Sequence, residues 1–282
     1  MALKDILVHL DATEQSDARL RVAAALAQSH GAHLTGLHVV DLFLPAFVGD
    51  PGGGGAVVAE LMEQMRQDAL ADAAKVEAAF RERLRLDGLA GEWRQVEGPT
   101  PETVMLHARY ADLTVVGQED PEGGGSRWAR AVIEAVLFSS GRPVLIVPYA
   151  GRFESVGRKV VIGWNASREA ARAINDAIPL IARADSATVL VINPRVGPDG
   201  HGEAPGTDIA VHLARHGVKV EVDRVTAPDV PDGELLLNRV AESGADLLVV
   251  GGYGHSRMRE LVLGGVTRTL LRQMTLPVLM SH

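Results

Sequence analysis

The chain is 282 residues long, 46% hydrophobic and 23% charged, with a net charge of −8 and a pI of about 5.7. That length suits one large domain or two ordinary ones, and the acidic balance argues against nucleic acid or an anionic membrane as the main partner. Cysteine is absent, which excludes disulfides, thiolate metal sites and a cysteine nucleophile, and fits a reducing cytoplasm.

The first segment, MALKDILVHLDATEQS, lacks a basic stretch followed by a long apolar run, so it does not read as a signal peptide. No apolar run approaches the ~20 residues that a membrane span needs. The predicted strands of the first half are 5–10, 34–40, 93–97, 113–117 and 144–148, short runs rich in Val, Ile and Leu. Such runs read as strands buried on both faces. The stretch EQSDARLRVAAALAQSHG between the first two reads as a helix stopped by Gly31. After the joint YAGRFESVG the pattern starts again, with strands predicted at 159–164, 188–192, 219–225, 246–251 and 277–281.

The chain is therefore written twice. KDILVHLDATEQS aligns with RKVVIGWNASREA, placing Asp11 on Asn165. ADLTVVGQ aligns with ADLLVVGG, and GRPVLIVP with TLPVLMSH. The first half carries extra residues in its middle, assigned here to DLFLPAFVGDPGGGGA (41–56) and part of the helix after it. The glycine run reads as a surface connector, with a lid over a pocket as the other reading. Alternating strands and helices predict two tandem α/β domains, 1–150 and 151–282. Each is a Rossmann-like, five-stranded parallel sheet with helices on both faces.

In such sheets ligands bind beyond the carboxyl ends of the strands, where the strand order reverses. In the second half, Gly163, Trp164 and Asn165 follow the first strand and Asn193 follows the second. Val250 and Gly251 end the fourth, where GGYGHSRMRELVLGGVT begins. Gly251, Gly254 and Gly264 are spaced G-x2-G-x9-G, and Gly265, Val266 and Thr267 lead into the helical pattern TRTLLRQM. Amide groups at a helix start favour a phosphate, and His255, Arg257 and Arg268 add polar or positive reach. Plain turn chemistry remains the other reading of these glycines. The pattern is neither a dinucleotide fingerprint, which follows a first strand, nor a Walker A loop, which needs G-K-S/T.

With these residues in view, the sequence resembles the universal stress protein family in its tandem form. KDILVHLDATEQS, ADLTVVG and RPVLIVP carry the resemblance in the first half, and KVVIGWNAS, ADLLVVGGYGHSRMRELVLGGVT and LPVLMSH in the second. The resemblance implies an adenine-nucleotide site, for ATP or AMP, with Mg²⁺ entering through ATP phosphates. The family's ATP-binding branch has Ser or Thr where this chain has Gly265, and Asp where it has Asn165. The first change removes a hydroxyl but keeps the amide, and the second keeps a donor and an acceptor while removing a charge. Trp164 reads either as a wall for adenine or as a core aromatic.

The first half has lost the motif: Gly254, Gly264 and Gly265 fall on Asp120, Arg130 and Ala131. Glu119, Asp120 and Glu122 would repel a phosphate, so only the second half is expected to bind nucleotide. Arg127 or Arg130 is expected to pair with these acids. No nucleophile elbow, zinc-binding histidine pair or ligand cluster appears. His9 and His38 read as packed, and His30, His33, His212 and His216 as solvated helix or strand ends. The leading reading is a nucleotide-responsive regulatory protein acting on an unknown protein partner. A slow ATPase and a ligand-free scaffold are the alternatives. VLIVP and VLMSH are expected to pair, within one chain as an internal pseudo-dimer or between chains as a homodimer.

Overall fold

The computed structural model describes residues 2–42, 55–122, 127–194, 203–252 and 265–282, the side chains of 55–58 excepted. Its first half runs β1 (Asp5–His9), α1 (Gln15–His30), β2 (His33–Val40), α2 (Gly55–Asp87), β3 (Gly91–Glu97), α3 (Thr100–Ala108), β4 (Leu113–Gly117), α4 (Ala129–Ser139) and β5 (Val144–Val147). The second runs β6 (Lys159–Gly163), α5 (Arg168–Ile181), β7 (Ser186–Ile192), α6 (Thr207–Arg215), β8 (Val220–Val225), α7 (Asp232–Ser243), β9 (Leu247–Gly251), α8 (Gly265–Gln273) and β10 (Val278–Ser281).

The strands form one ten-stranded sheet in the order β3-β2-β1-β4-β5-β10-β9-β6-β7-β8. All pairs are parallel except β5 with β10, where Leu279 faces Leu145 and Val278 faces Ile146. Each half is thus a five-stranded parallel sheet, and the two join edge to edge within the chain. The junction removes two open edges. The outer edges that remain, β3 (GEWRQVE) and β8 (VEVDRV), carry charges along their length, which discourages edge-to-edge association.

Alternation along the strands feeds two cores. Ile6, Val8, Val115, Ile162 and Val249 face α1, α2, α5 and α6, whose Ala23, Phe80, Ala173 and Leu213 close that layer. Leu7, Val116, Val161, Leu248 and Val278 face α3, α4, α7 and α8 through Val104, Val132, Leu236 and Leu270. Each layer is continuous across both halves, so burial of apolar surface holds the halves to one another as well as each to itself.

Gly31 ends α1 as expected: its φ is 62°, and its amide donates to Ala27 and Gln28 carbonyls. Of the two places expected to hold the extra length of the first half, the helix holds it. Residues 41–54 and 193–206 are connections of equal length, whereas α2 has 33 residues and α6 has 9. The insertion is the long helix and not the glycine-rich run before it. Exposed ion pairs such as Arg81 with Glu77 and Arg85 with Glu82 decorate α2, while Val76 and Phe80 anchor it on the sheet.

Candidate functional site

The strand order reverses between β1 and β4 in one half and between β6 and β9 in the other, which creates two matched crevices at the carboxyl edge. In the second half, Gly163 lies beside Val250 in the ladder, and the chain leaves β6 through Trp164, Asn165 and Ala166. Ser167 caps α5 by accepting from the Ala170 amide at 3.1 Å. Asn165 is exposed, and its amide oxygen accepts from Ser167 N at 3.2 Å. Trp164 is half-buried against the core of the α1 and α5 layer, the packing role anticipated as one of its two readings.

Two residues near this crevice have unusual backbones. Ala166 (φ 58°) and Asn193 (φ 45°) are the non-glycine residues with positive φ among the described residues, and both follow second-half strands. Such conformations cost on the order of 1–3 kcal/mol for a residue with a Cβ and concentrate at ligand-binding sites. Asn193 recovers part of that locally: its Nδ2 donates to Asp232 at 2.6 Å, and its Oδ1 accepts from Ala227 N at 2.8 Å. Its side chain therefore ties the end of β7 to the start of α7 and the loop before it.

The glycines divide by their reasons. A Cβ on Gly251 would stand 2.4 Å from Ala170 N, one on Gly163 would stand 2.8 Å from Val250 Cγ1, and one on Gly252 would stand 2.8 Å from Leu137. These three are glycines because helices and strands press on them. Gly265, the first residue of α8, has no atom of the described residues within 4 Å of such a Cβ. Val266 is half-buried, and Thr267 is buried at 5% exposure. Gly254, His255 and Gly264 lie outside the described residues, as does Arg257.

The ends of the glycine segment touch the first half. Gly252 N donates to Ser281 O, and the Gly252 carbonyl lies 3.0 Å from His282 Nδ1. The His282 ring meets Phe138 of α4 edge-on, with centroids 5.0 Å apart. Gln118, only 3% exposed, donates to Leu271 O on α8 at 3.0 Å and accepts from Tyr149 N. Arg268, Leu271 and Arg272 share a small cleft with Glu119, Arg130 and Ile133 of the first half.

The first-half crevice is built differently. Arg19, from the second turn of α1, is 3% exposed and reaches in to donate to His9 O at 3.2 Å, Asp11 at 2.6 Å, Ser16 at 2.8 Å and Thr13 at 3.2 Å. Its guanidinium carbon lies 3.3 Å from where a Gly117 Cβ would be. Burial works to raise the Asp11 carboxyl, but the Arg19 charge, the neighbouring His9 and the hydrogen bonds from Arg19 and Thr13 together outweigh it and hold the carboxyl well below the usual range. Burial, and then the Arg19 charge, push His9 down from 6.5 to about 4, so His9 is neutral and packed. His38 is also buried, hydrogen-bonded to Leu10 O at 2.9 Å and stacked on Trp93.

Arg130 forms an ion pair with Glu134 at 3.0 Å and lines a cleft with Glu119, and Arg127 lies over the Trp128 ring, while Asp120 accepts from Gln15 and from Glu122 N. Arg19 is a further cation in the first crevice, beyond those expected from the sequence. One expectation needs correction. His30 is buried at 8% exposure and not solvated, because it closes the inward face of α1 beside Ala27. Among the described residues no cluster of three or more acidic or histidine side chains could hold a metal, and no helix is long and apolar enough to cross a membrane. A further cavity of about 160 Å³, lined by His33, Glu92, Arg94, His107 and Tyr110, lies at the opposite edge of the sheet.

The universal stress protein family matches the chain twice, over residues 2–148 and 157–282. A universal stress protein of Synechocystis sp. is 23% identical over 295 aligned residues, covering 98% of this chain and 99% of that one. A solved universal stress protein from Archaeoglobus fulgidus DSM 4304 superposes with a TM-score of 0.71 at 17% identity, covering 98% of this chain and 95% of that chain. That likeness extends over both halves and concerns the fold.

Proposed function

We propose, because the chain belongs to the universal stress protein family, that it is an adenine-nucleotide-responsive regulatory protein whose second half holds the ligand. The observation that carries this reading is the backbone strain at Ala166 and Asn193, which flanks the second-half crevice and has no counterpart among the described residues of the first. The G-x2-G-x9-G spacing of Gly251, Gly254 and Gly264 at the same strand ends supports it. Asn165 fits the adenosine, since its exposed side chain keeps an amide NH₂ for a ligand acceptor. The amides of Gly265 and Val266 open α8, and no described residue crowds Gly265 where a phosphate oxygen would approach. Mg²⁺ would enter with ATP on phosphate oxygens, because the described residues offer no ligand cluster of their own.

The contacts from Gly252 and Leu271 to His282, Leu137 and Gln118 give a route by which occupancy would alter the seam between the halves, where a protein partner would read it. The test is chromatography of the small molecules released on denaturing freshly purified protein, beside the Gly264→Asp variant. An adenine nucleotide released by the wild type and absent from the folded variant supports the reading. Equal release from both places the ligand elsewhere, and no release from either favours a ligand-free scaffold.

A further inference from the structure

The two crevices differ at two matched positions, and the differences are complementary. Asp11 and Arg19 of the first half correspond to Asn165 and Ala173 of the second. The acid and the base are present together in one half and absent together in the other. Ala173 is a buried methyl in the core, whereas Arg19 places a guanidinium between the carboxyl ends of β1 and β4, at His9 O and Gly117. Exposure follows the same division. His9 and Leu10 are buried and Asp11 is half-buried, while their counterparts Gly163 and Trp164 are half-buried and Asn165 is exposed.

We infer that Arg19 is an internal guest that fills the first-half crevice and thereby restricts the chain to a single adenosine site. The inference rests on the proposed role of the second half and names the residue that decides which half can serve. Arg19 has a donor on every side on which a ligand would need one: to the β1 carbonyl, to Asp11, and to the hydroxyls of Thr13 and Ser16. The acid that stands at the adenosine position is consumed by this ion pair. The fit is incomplete, since Arg19 Nε and Asp11 Oδ2 are buried without a partner. Buried polar groups left unpartnered call for an explanation, and a side chain filling a crevice shaped for a ligand supplies one.

The experiment is equilibrium dialysis of adenosine, a probe that does not depend on the phosphate loop the first half lacks. It compares the wild type, Asp11→Asn/Arg19→Ala, which gives the first half the residues of the second, and Asp11→Asn/Arg19→Leu, which removes the charges but keeps the crevice filled. The expected result is one additional equivalent of adenosine per chain in the alanine variant relative to the wild type, and none in the leucine variant. No increment in a folded alanine variant overturns the inference. Soaking wild-type crystals with adenosine provides a test that needs no variant, because adenosine in the first half with Arg19 displaced would also overturn it. The wild-type count reports on the second half separately: zero there would sink the proposed function while the increment still reports on Arg19.

Discussion

Truncating Arg19 to alanine would leave the Asp11 carboxylate, 17% exposed, with one oxygen buried and unpartnered. Breaking a buried ion pair from one side costs about 3–5 kcal/mol, because the remaining charge is stranded. Asp11 Oδ1 would keep the Thr13 amide at 3.0 Å and the Ser16 hydroxyl at 3.0 Å, which points to the lower end, about 3 kcal/mol. In a chain of this size each kcal/mol moves Tm by roughly 2–4 °C, so the expected loss is about 6–12 °C. Asp11→Asn/Arg19→Leu strands no charge and should lose less than half of that. Thermal and urea unfolding followed by circular dichroism would measure both. The sign of the pH dependence follows from the depressed carboxyl. Its contribution is complete above the unfolded value of ~3.9 and is lost as pH falls through the lower folded value. The stability difference between wild type and the leucine variant should therefore shift against the wild type in acid below pH ~4. A shift under ~1 kcal/mol for Arg19→Ala, or equal losses in the two variants, would refute the view that a stranded charge dominates.

Other outcomes follow from the same contacts. Gly251→Ala should destabilise by about 1–3 kcal/mol, since its Cβ would press on the Ala170 backbone at 2.4 Å. Gly265→Ser should leave the melting temperature within error and tighten nucleotide binding by up to roughly tenfold, the worth of one hydrogen bond; tighter binding without altered stability is the result to look for. His9, neutral with its value pushed down to about 4, should make stability fall with pH between 6.5 and 4, because the unfolded state binds the proton first. The total is roughly 3 kcal/mol, and His9→Gln should flatten that limb of the urea-midpoint profile. Gln118→Ala should cost about 1–3 kcal/mol by leaving the Leu271 carbonyl and Tyr149 amide unmet, and proteolysis at the joint between the halves should quicken.

The inner strands were legible because both their faces are buried: runs such as DILVH and LLVVG leave little room for another reading, and only strand ends shifted by a residue or two. The intrachain pairing of VLIV with VLMS was one of two readings, and the fold selects it through β5 and β10. The insertion was assigned partly to the helix and partly to the loop, because glycine and proline in GDPGGGG draw attention to the loop, while the extra turns of α2 look like ordinary amphipathic helix. Arg19 was missed although a signal existed. It lies on the same helical face as Ala23, Leu26, Ala27 and His30, all buried, so a charge stood on the inward stripe opposite an alanine in the repeat. The packing reasons for Gly251 and Gly252 could not be read from spacing, because the atoms that press on them come from α5 and from α4 of the other half.

The central claim, one adenine-nucleotide site per chain and that site in the second half, is tested most directly by calorimetric titration of ATP, with and without Mg²⁺, into ligand-free protein. The account predicts one equivalent per chain, lost in Gly264→Asp and retained in Asp11→Asn/Arg19→Leu. Two equivalents, or none, would contradict it.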